Sequence, residues 1–297
     1  EKILSNIANF ISEDEYKVTV CYFGEKVDYD FSEKINLVKI SKIKFNLFKS
    51  IKDYKKIINK HASDEPIVIS HLNYANYFNI FLSFFIKYKA VIVMHYSLNY
   101  YLTTSLKNLY LFPFHFILQK LLFKKSYKAI AVSRAIQSSY KKFINLNSSL
   151  IYNPIYDKSL KIKNQFSPFD NNKINILVVG SFINVKNHIE LCKCINFKLK
   201  KFCEKNLLQF VFIGDGPLIK KIKDYAVLNK IDHLIIFMGL VDKIQNYYIN
   251  SDFLISTSKL EGLPTVIIEA LCYDKPVIST FQLSSLEILQ NNIDNYD

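Results

Sequence analysis

The strongest constraint in this sequence is a regular alternation of short β-branched runs with segments of helical spacing. Such alternation is typical of parallel sheets covered by helices, because parallel strands need long crossover connections. The alternation runs through the first half and starts again after a polar, proline-containing stretch at residues 153–175. The sequence therefore predicts an α/β protein with two Rossmann-like, doubly wound domains, which we place at residues 1–165 and 166–297.

Ten segments have the composition of buried strands, five in each half. In the first half they are Val18–Phe23, Ile67–Ser70, Ala90–His95, Ala129–Val132 and Leu150–Tyr152. In the second half they are Ile174–Val179, Leu208–Ile213, Ile235–Phe237, Phe253–Ser256 and Pro276–Ser279. The intervening helices include Tyr74–Tyr88, Ser105–Lys125 and Lys186–Phe202. Ligands of this architecture bind in the crevice at the carboxyl ends of the strands.

The formal net charge of +13 lies almost entirely in the first half. Residues 1–170 hold 25 Lys and Arg against 13 Asp and Glu, whereas residues 171–297 hold 14 Lys against 13 Asp and Glu. Arg134 is the only arginine in the chain. Proteins that read nucleic acids rely on arginine for its planar, forked guanidinium, so we do not expect a nucleic-acid partner. The charge indicates a cationic first domain instead.

The sequence favours a cytoplasmic protein. Its five cysteines have neither the spacing of a disulfide framework nor that of a zinc site. The most apolar runs are interrupted by polar residues before they reach the roughly 20 residues of a membrane span. Residues 105–128 mix aromatic, aliphatic and lysine side chains, and two interpretations stay open: a packed helix with a lysine-rich outer face, or a helix on the anionic inner face of the plasma membrane.

Glycine is scarce, with six residues in the chain. Five of them follow predicted strands of the second half: Gly180, Gly214, Gly216, Gly239 and Gly262. In Rossmann-like domains the turns after strands are where phosphates bind. The distribution of glycine therefore points to a nucleotide in the second domain.

The segment from Ser258 to Ala270 has the densest group of candidate site residues. Glu261 and Gly262 lie in a predicted loop, and Pro264 suits the first position of a helix whose free N–H groups can bind an anion. Glu269 lies five residues further along, about 7.5 Å along a helix axis. The spacing alone leaves two alternatives open: a nucleotide-sugar site, or a loop acid and an unrelated helix glutamate.

Further segments over residues 90–288 follow, in the same order, the motifs of one known protein family. They are Met94-His95, Ala131-Val132-Ser133, Tyr152-Asn153-Pro154, residues 176–180 followed by Lys186-Asn187, Phe212-Ile213-Gly214-Asp215-Gly216-Pro217, Phe237-Met238-Gly239, Tyr247-Tyr248 through Ser251-Asp252-Phe253, the E-x7-E pair Glu261 and Glu269, and residues 274–280 followed by Glu287-Ile288. Together they resemble the glycosyltransferase family 4 type, within the retaining group 1 glycosyl transferases of GT-B fold. The resemblance implies two Rossmann-like domains facing each other across a cleft.

The resemblance also implies roles for individual residues. Lys186 would neutralise the donor diphosphate, Glu269 would bind the nucleotide ribose, and Glu261 would hold hydroxyl groups of the donor sugar. His95 would contact the transferred sugar or the acceptor from the opposite domain, although a histidine at a strand end can also be a structural polar residue. We predict Glu261, His95 and Lys186 as catalytic residues. The other predicted donor-binding residues are Gly180, Gly214, Gly216, Pro217, Gly262, Leu263, Pro264, Thr265 and Glu287, with Thr280 near the sugar.

The activity implied by the resemblance is hexosyl transfer with retention from a nucleotide sugar, UDP- or GDP-linked, without an obligate metal or other cofactor. The expected acceptor is a glycan or a lipid-linked glycan in bacterial surface polysaccharide synthesis, as in lipopolysaccharide or capsule. Asp28-Tyr29-Asp30 has the D-x-D form of a metal motif from another transferase fold, but it lacks that context. We interpret it as a solvated turn.

The sequence departs from the family pattern at three places. Ser181 and Phe182 stand where the family usually has an arginine, and residues 282–285 (Gln-Leu-Ser-Ser) stand where it usually has a Gly-Gly loop. The first strand with its Gly-rich loop, and the closing helices, are expected to be missing from the two ends. These departures keep open a non-catalytic remnant that binds a sugar nucleotide or a membrane. A sugar-nucleotide epimerase of the same fold is a further alternative, which would turn over without an acceptor.

Overall fold

The computed structural model describes residues 2–13, 16–22, 27, 29–40, 47–60, 66–98, 106–155, 169–170 and 172–293. The chain divides into two compact units. The first comprises residues 1–95, 115–132 and 140–154, and the second comprises residues 96–114, 133–139 and 155–297. The predicted domain boundary between residues 165 and 166 lies outside the described residues and stays a prediction.

The first unit contains six parallel strands among its described residues. Strand β1 (Thr19–Tyr22) pairs with β2 (Asn36–Lys39), while β3 (Ile67–His71), β4 (Lys89–Met94), β5 (Lys128–Ala131) and β6 (Ser149–Leu150) form a sheet in that order. The sequence analysis missed β2. Three of its four residues are exposed, so it lacks the apolar pattern by which a buried strand is recognised.

Five α-helices precede residue 150 in the described chain: α1 (Lys2–Glu13), α2 (Leu47–Lys60), α3 (Asn73–Ser83), α4 (Leu106–Leu122) and α5 (Arg134–Ile144). The division between the two units passes through α4 and α5. Helix α3 ends five residues before the predicted end at Tyr88. It lies against β3 and β4 through buried side chains that include Phe78, Ile80 and Leu82.

The second unit is built on a five-stranded parallel sheet. Its strands are β7 (Ile174–Val179), β8 (Leu208–Ile213), β9 (Ile235–Gly239), β10 (Phe253–Ser256) and β11 (Val277–Ser279), in the spatial order β11-β10-β7-β8-β9. All five predicted strands of this half are confirmed, with ends that differ by two residues at most. The order reverses between β7 and β10, which is the topological switch point where open α/β sheets bind ligands.

The helices of the second unit cover both faces of this sheet. They are α6 (His188–Cys194), α7 (Lys200–Lys205), α8 (Ile219–Leu228), α9 (Ile244–Asn250), α10 (Thr265–Cys272) and α11 (Leu283–Ile293). Successive residues of β7 enter opposite cores: Ile176 and Val178 contribute to one, and Leu177 to the other. Such burial on both faces explains why the strands of this half are nearly continuous hydrophobic runs.

The prediction of one helix over Lys186–Phe202 is wrong. A 3-10 turn at Asn184–Lys186 is followed by Asn187 in the left-handed region, with φ 59°, and only then does α6 begin. A π-helical segment, Ile195–Leu199, separates α6 from α7. Asparagine adopts left-handed backbone more readily than most residues, so Asn187 interrupts the helix at low cost. As a result Lys186 lies in the turn before the helix.

Candidate active site

Two loops meet at the switch point of the second sheet, because β7 and β10 are hydrogen-bonded neighbours. The loop after β7 leads to Lys186, and the loop after β10 leads to Glu261. The Thr257 hydroxyl donates to the main-chain oxygen of Lys186 at 2.9 Å, and the Lys259 N–H donates to the main-chain oxygen of Val185 at 2.8 Å. These contacts fix the two loops against each other.

The side chains of Lys186 and Glu261 form an ion pair within this arrangement. The distance from Lys186 Nζ to Glu261 Oε1 is 2.5 Å, and the two side chains are 21% and 13% exposed. Partial burial strengthens their attraction relative to a surface pair, because fewer water molecules screen the charges. The structure therefore brings together two of the three predicted catalytic residues.

A third loop supports the main chain around Glu261. After β11, the Thr280 hydroxyl donates to the main-chain oxygen of Ser258 at 2.6 Å, and the side-chain amide of Gln282 donates to the same oxygen. The Ser284 hydroxyl donates to the main-chain oxygen of Glu261 at 3.0 Å. The polar residues that stand in place of the expected Gly-Gly loop thus bind the Glu261 loop through their side chains.

Helix α10 starts directly after this loop. The helix runs from Thr265, so Pro264 is its N-cap residue and not, as the sequence predicted, its first helical residue. No side chain donates or accepts a capping hydrogen bond at this end. Gly262, Leu263 and Pro264 are buried and lead the chain from Glu261 into the helix. The uncapped first turn retains the N–H donors that a phosphate or another anion can accept from.

Glu269 lies further along α10 and is held by a buried tyrosine. The Tyr248 hydroxyl donates to Glu269 Oε2 at 2.8 Å, and Tyr248 is buried from solvent. Burial, followed by the negative charge of Glu269, raises the pKa of Tyr248 well above its ordinary value. The tyrosine therefore remains a proton donor that orients the carboxylate. Tyr248 was included in the family pattern of the sequence, but it was given no role in the site.

The glycine turns after β7 and β8 are in main-chain contact. Gly214 has φ 136°, and a Cβ built there would lie 2.2 Å from the main-chain oxygen of Gly180. The Phe182 N–H donates to the oxygen of Asp215 at 2.9 Å. Gly216 and Pro217 continue this turn, in which Leu218 N–H donates to the oxygen of Phe182 at 3.0 Å. These predicted donor-binding residues therefore shape the loop that precedes Lys186.

Phe182 occupies one of the positions where an arginine was expected, and its side chain is buried. The ring lies 4.9 Å from that of His188 and 6.1 Å from that of Phe212, measured between centroids. This residue belongs to the aromatic core beneath the loop, and it supplies no charge to the site. Lys186 is the cation that this loop presents.

His95, the third predicted catalytic residue, lies in the first unit just after β4. Its Nε2 atom is 2.8 Å from Nδ1 of His71, the last residue of β3. Burial lowers the pKa of each histidine to about 4, so both rings are neutral at pH 7. Sequence reasoning missed His71. Its contact with His95 depends on the pairing of β3 with β4, and the order of strands in the sheet cannot be read from the local sequence around His71.

The Glu287 side chain, also predicted to bind the donor, is engaged elsewhere. Both of its carboxylate oxygens accept from the Arg134 N–H at 2.9 Å, and one also accepts from the Ala135 N–H at 3.4 Å. These N–H groups begin α5, and an acidic side chain is favourable at a helix N-terminus. The role of Glu287 toward a donor stays a prediction.

Two observations bear on metals and membranes. Within the described ranges, no group of three or more His, Cys, Asp or Glu side chains is placed to hold a metal ion. Asp28 of the D-x-D sequence lies outside the described residues. Of the helices that the structure describes, none combines the length and the apolar character needed to span a bilayer.

Comparison with known proteins finds similarity to glycosyltransferases. Residues 173–296 match the family described as glycosyl transferases group 1. An uncharacterized glycosyltransferase of Haemophilus influenzae is 24% identical over 285 residues, which are 94% of this chain and 76% of that protein. The Campylobacter jejuni GalNAc-alpha-(1->4)-GalNAc-alpha-(1->3)-diNAcBac-PP-undecaprenol alpha-1,4-N-acetyl-D-galactosaminyltransferase is 30% identical over 123 residues, which are 40% of this chain and 32% of that protein.

The fold comparison covers nearly the whole chain. The crystal structure of Anabaena Alr3699/HepE in complex with UDP-glucose aligns with a TM-score of 0.73 and 17% identity, over 97% of this chain and 78% of that one. The fold is GT-B, with two Rossmann-like units, as the sequence predicted. The match to the group 1 glycosyl transferases covers residues 173–296, and the narrower assignment to the family 4 type stays a prediction.

Proposed function

We propose that this protein transfers a sugar, with retention of anomeric configuration, from a nucleotide-sugar donor to a glycan or lipid-linked acceptor. The observation that carries the proposal is the Lys186–Glu261 ion pair, located at the switch point of the second sheet and next to the uncapped start of α10. A cation and free helix N–H groups suit the diphosphate of a donor. The UDP-glucose complex of the Anabaena protein, which has the same fold, supports a nucleotide sugar as the ligand.

The proposed roles follow from the chemistry of each group. Lys186 and the start of α10 stabilise the negative charge that develops on the diphosphate as the glycosidic bond to it breaks. Glu269, oriented by Tyr248, accepts hydrogen bonds from the ribose hydroxyls. Glu261 accepts from hydroxyl groups of the sugar, and His95 contacts the sugar or the acceptor. The sugar passes through an oxocarbenium-like state, and the acceptor hydroxyl attacks the same face while its proton passes to the leaving phosphate.

Bacterial surface polysaccharide synthesis is the proposed setting. The Campylobacter relative is named for an acceptor that is linked to undecaprenol through a diphosphate, which places its substrate on a lipid. In the present chain, α4 exposes Phe114, Ile117 and Leu121, spaced i, i+3 and i+7 on one face. Lys120, Lys124 and Lys125 are exposed beside them. An apolar stripe flanked by lysines suits an anionic membrane surface, so we propose peripheral attachment through α4.

The experiment that tests the activity is hydrolysis and transfer with a panel of UDP- and GDP-sugars. We expect Lys186→Ala and Glu261→Ala each to lower kcat about 100-fold, which is the usual cost of losing a group that stabilises transition-state charge. Lys259→Ala is the matched control, because Lys259 lies in the same loop and its side chain is exposed. Unchanged rates in the two site variants would refute the assignment.

A non-catalytic module that binds a sugar nucleotide is the second candidate. The burial of Phe182 at the expected arginine position favours it, because the site then offers one cation from this loop where the family usually offers two. The same panel separates the candidates. Saturable binding of a nucleotide diphosphate without turnover of any donor would support the module, and turnover would exclude it. Formation of an epimerised sugar without an acceptor would instead identify an epimerase.

A further inference from the structure

The end of β3 carries a histidine that the proposed mechanism does not use. His71 pairs in register with Val93 of β4, and His95 lies two residues beyond Val93. Residues two apart on a strand share a face of the sheet, so the two histidine side chains are diagonal neighbours on that face. Their ring centroids are 5.1 Å apart, and the 2.8 Å contact joins Nδ1 of His71 to Nε2 of His95.

A buried amide network holds the ends of these two strands in register. The Asn76 side chain accepts from the Ser70 hydroxyl at 2.8 Å and donates to the main-chain oxygen of Val93 at 3.0 Å. The Asn79 side chain donates to the main-chain oxygens of Val68 and Val91 at 3.0 and 3.1 Å. Both asparagines are almost completely buried on α3. Because each one bridges β3 and β4, the network fixes the relative position of His71 and His95.

The backbone is strained immediately after His71. Leu72 has φ 72° and ψ 149°, a conformation found almost only in glycine. Such strain costs on the order of 1–3 kcal/mol and persists where the surrounding structure enforces it, most often at functional sites. The Leu72 oxygen accepts from the Asn76 N–H at 2.9 Å, which ties the strained residue to the same network. The strain therefore directly adjoins the histidine pair.

The contact also determines which nitrogen of His95 remains for other partners. A neutral imidazole has one N–H donor and one acceptor nitrogen, and the identity of the donor is set by the hydrogen bond that the other nitrogen makes. Nε2 of His95 is engaged by His71, which leaves Nδ1 for a ligand. Because one ring must donate and the other accept in this contact, the tautomers of the two rings are coupled.

We propose that His71 is a positioning residue for His95: it holds the ring through Nε2, fixes its tautomer, and leaves Nδ1 as the nitrogen offered to the sugar or acceptor. This inference rests on the proposed function, in which His95 contacts one of those two groups. His71 itself touches no substrate in this scheme and acts through His95.

Three substitutions at position 71 separate positioning from packing. In His71→Asn the side-chain amide lies near the place of Nδ1, so it can keep the hydrogen bond to His95. In His71→Gln the amide lies near the place of Nε2, and in His71→Leu no polar atom remains. We expect kcat for donor hydrolysis to fall about tenfold in the Gln and Leu variants with KM changed less than about twofold, and the Asn variant to stay within about threefold of wild type, because the hydrogen-bonded position alone decides the effect.

A spectroscopic measurement tests the role of His71 independently of the proposed function. Long-range ¹H–¹⁵N spectra, with His95 assigned from a His95→Gln variant, report the tautomer of each ring without any donor present. We expect one neutral tautomer of His95 in the wild type and in His71→Asn, and a mixture in the Gln and Leu variants.

The outcomes that would overturn the proposal are equally specific. Mixed tautomers of His95 in the wild type, or one unchanged tautomer in all three variants, would show that His71 does not position the ring. An Asn variant as impaired in kcat as the Leu variant would do the same. Absence of turnover in the wild type would instead refute the proposed function, while the spectra would still decide the role of His71.

Discussion

The ammonium group of Lys186 lies 2.5 Å from a carboxylate oxygen of Glu261, although the residues are 75 positions apart in the chain. Each therefore neutralises the other when no donor is bound. Under the proposed function, a donor diphosphate competes with Glu261 for the lysine, and a sugar hydroxyl can then replace the lysine at Glu261. The proposal therefore couples the binding of the two halves of the donor through this pair.

Replacing Glu261 by Gln should tighten the binding of a nucleoside diphosphate that carries no sugar. The change leaves Lys186 without its carboxylate partner and removes a negative charge near the phosphates, so we expect about three- to tenfold lower Kd, or roughly 0.7–1.4 kcal/mol. Isothermal titration with UDP and GDP measures the effect. Lys186→Met should raise Kd at least about tenfold, because the cation is lost.

The control for this pair of variants is Lys259→Met, which removes an exposed lysine from the same loop. We expect its Kd to lie within about twofold of the wild-type value, because an exposed charge is screened by solvent. A Glu261→Gln variant that binds UDP and GDP no better than wild type would show that the carboxylate does not compete with the diphosphate.

The hydrogen bond from Tyr248 to Glu269 predicts a selective effect on the nucleoside. Tyr248→Phe keeps the buried ring and removes the donor, so Glu269 loses the contact that orients it. We expect about 1 kcal/mol lower free energy of unfolding and a several-fold weaker affinity for UDP or GDP. Equal losses of affinity for the nucleotide and for inorganic diphosphate would contradict a role at the ribose. Tyr225→Phe is the control, because the Tyr225 hydroxyl contacts Asn196 on the neighbouring helical segment.

The main-chain contact between Gly214 and Gly180 predicts an intolerant position. A Cβ at Gly214 would lie 2.2 Å from the oxygen of Gly180, so Gly214→Ala must displace the loop that leads to Lys186. We expect a loss of more than about 2 kcal/mol of stability, together with weakened nucleotide binding. Gly239→Ala is the matched control: its φ is 68°, but no atom lies within 4 Å of the added Cβ. Its cost should be the backbone strain alone, about 1 kcal/mol. Chemical unfolding of both variants measures the difference.

The strands of the second unit were predictable because they are buried on both faces. The run Leu208–Ile213 is apolar except for the buried Gln209, and Gly214 follows its carboxyl end. The exposed strand β2 has no such pattern, and the helix break at Asn187 depends on one residue in a left-handed conformation. Local sequence carries little information about either feature.

In the candidate site, the features that the sequence did not predict depend on contacts between side chains that are distant in the chain. Glu261, Glu269 and Lys186 were proposed from the resemblance to a known family, because their spacing alone leaves two alternatives open. His71 was not proposed, and Tyr248 was given no role, because their contacts join residues 24 and 21 positions apart in the chain. The inward orientation of Phe182 likewise depends on Phe212 and His188, which only the folded chain brings beside it.

Burial of His188 predicts a dependence of stability on pH. Burial lowers the pKa of His188 to about 4 from its ordinary 6.5, so between these values the unfolded chain binds a proton that the folded chain does not. Stability therefore falls as pH decreases through this window, by at most about 1.4 kcal/mol per pH unit for this one histidine. Burial also lowers the pKa values of His71 and His95 to about 4, so these two residues likewise make the protein less stable as pH decreases.

The contribution of His188 is isolated by comparing wild type with His188→Leu. The variant loses ring contacts with Phe182 and Phe212 and should be less stable at neutral pH. Its free energy of unfolding should nevertheless fall less steeply than that of wild type as pH decreases from about 6.5 toward 4.5. Urea unfolding across this range gives both slopes. Parallel slopes would mean that His188 binds its proton equally in the folded and unfolded states.

The exposed face of α4 predicts binding to anionic membranes. Phe114, Ile117 and Leu121 are 62%, 56% and 62% exposed, and changing all three to Ser removes the apolar stripe. We expect wild-type protein to sediment with vesicles rich in phosphatidylglycerol, and the triple variant to bind them at least about tenfold more weakly, because burial of apolar side chains supplies much of the binding energy. Replacing Lys120, Lys124 and Lys125 by Gln should weaken binding by about 1 kcal/mol per lysine at low salt.

The matched control for α4 is Phe197→Ser with Phe202→Ser. These side chains are also strongly exposed, but they lie in the half of the chain whose net charge is near zero. We expect vesicle binding to be unchanged in this control, and wild-type binding to fall at high salt and on vesicles of phosphatidylcholine alone. Equal loss in both sets of variants would indicate non-specific adsorption of exposed aromatic residues. Retention of binding by the α4 variant would place the membrane contact elsewhere in the chain.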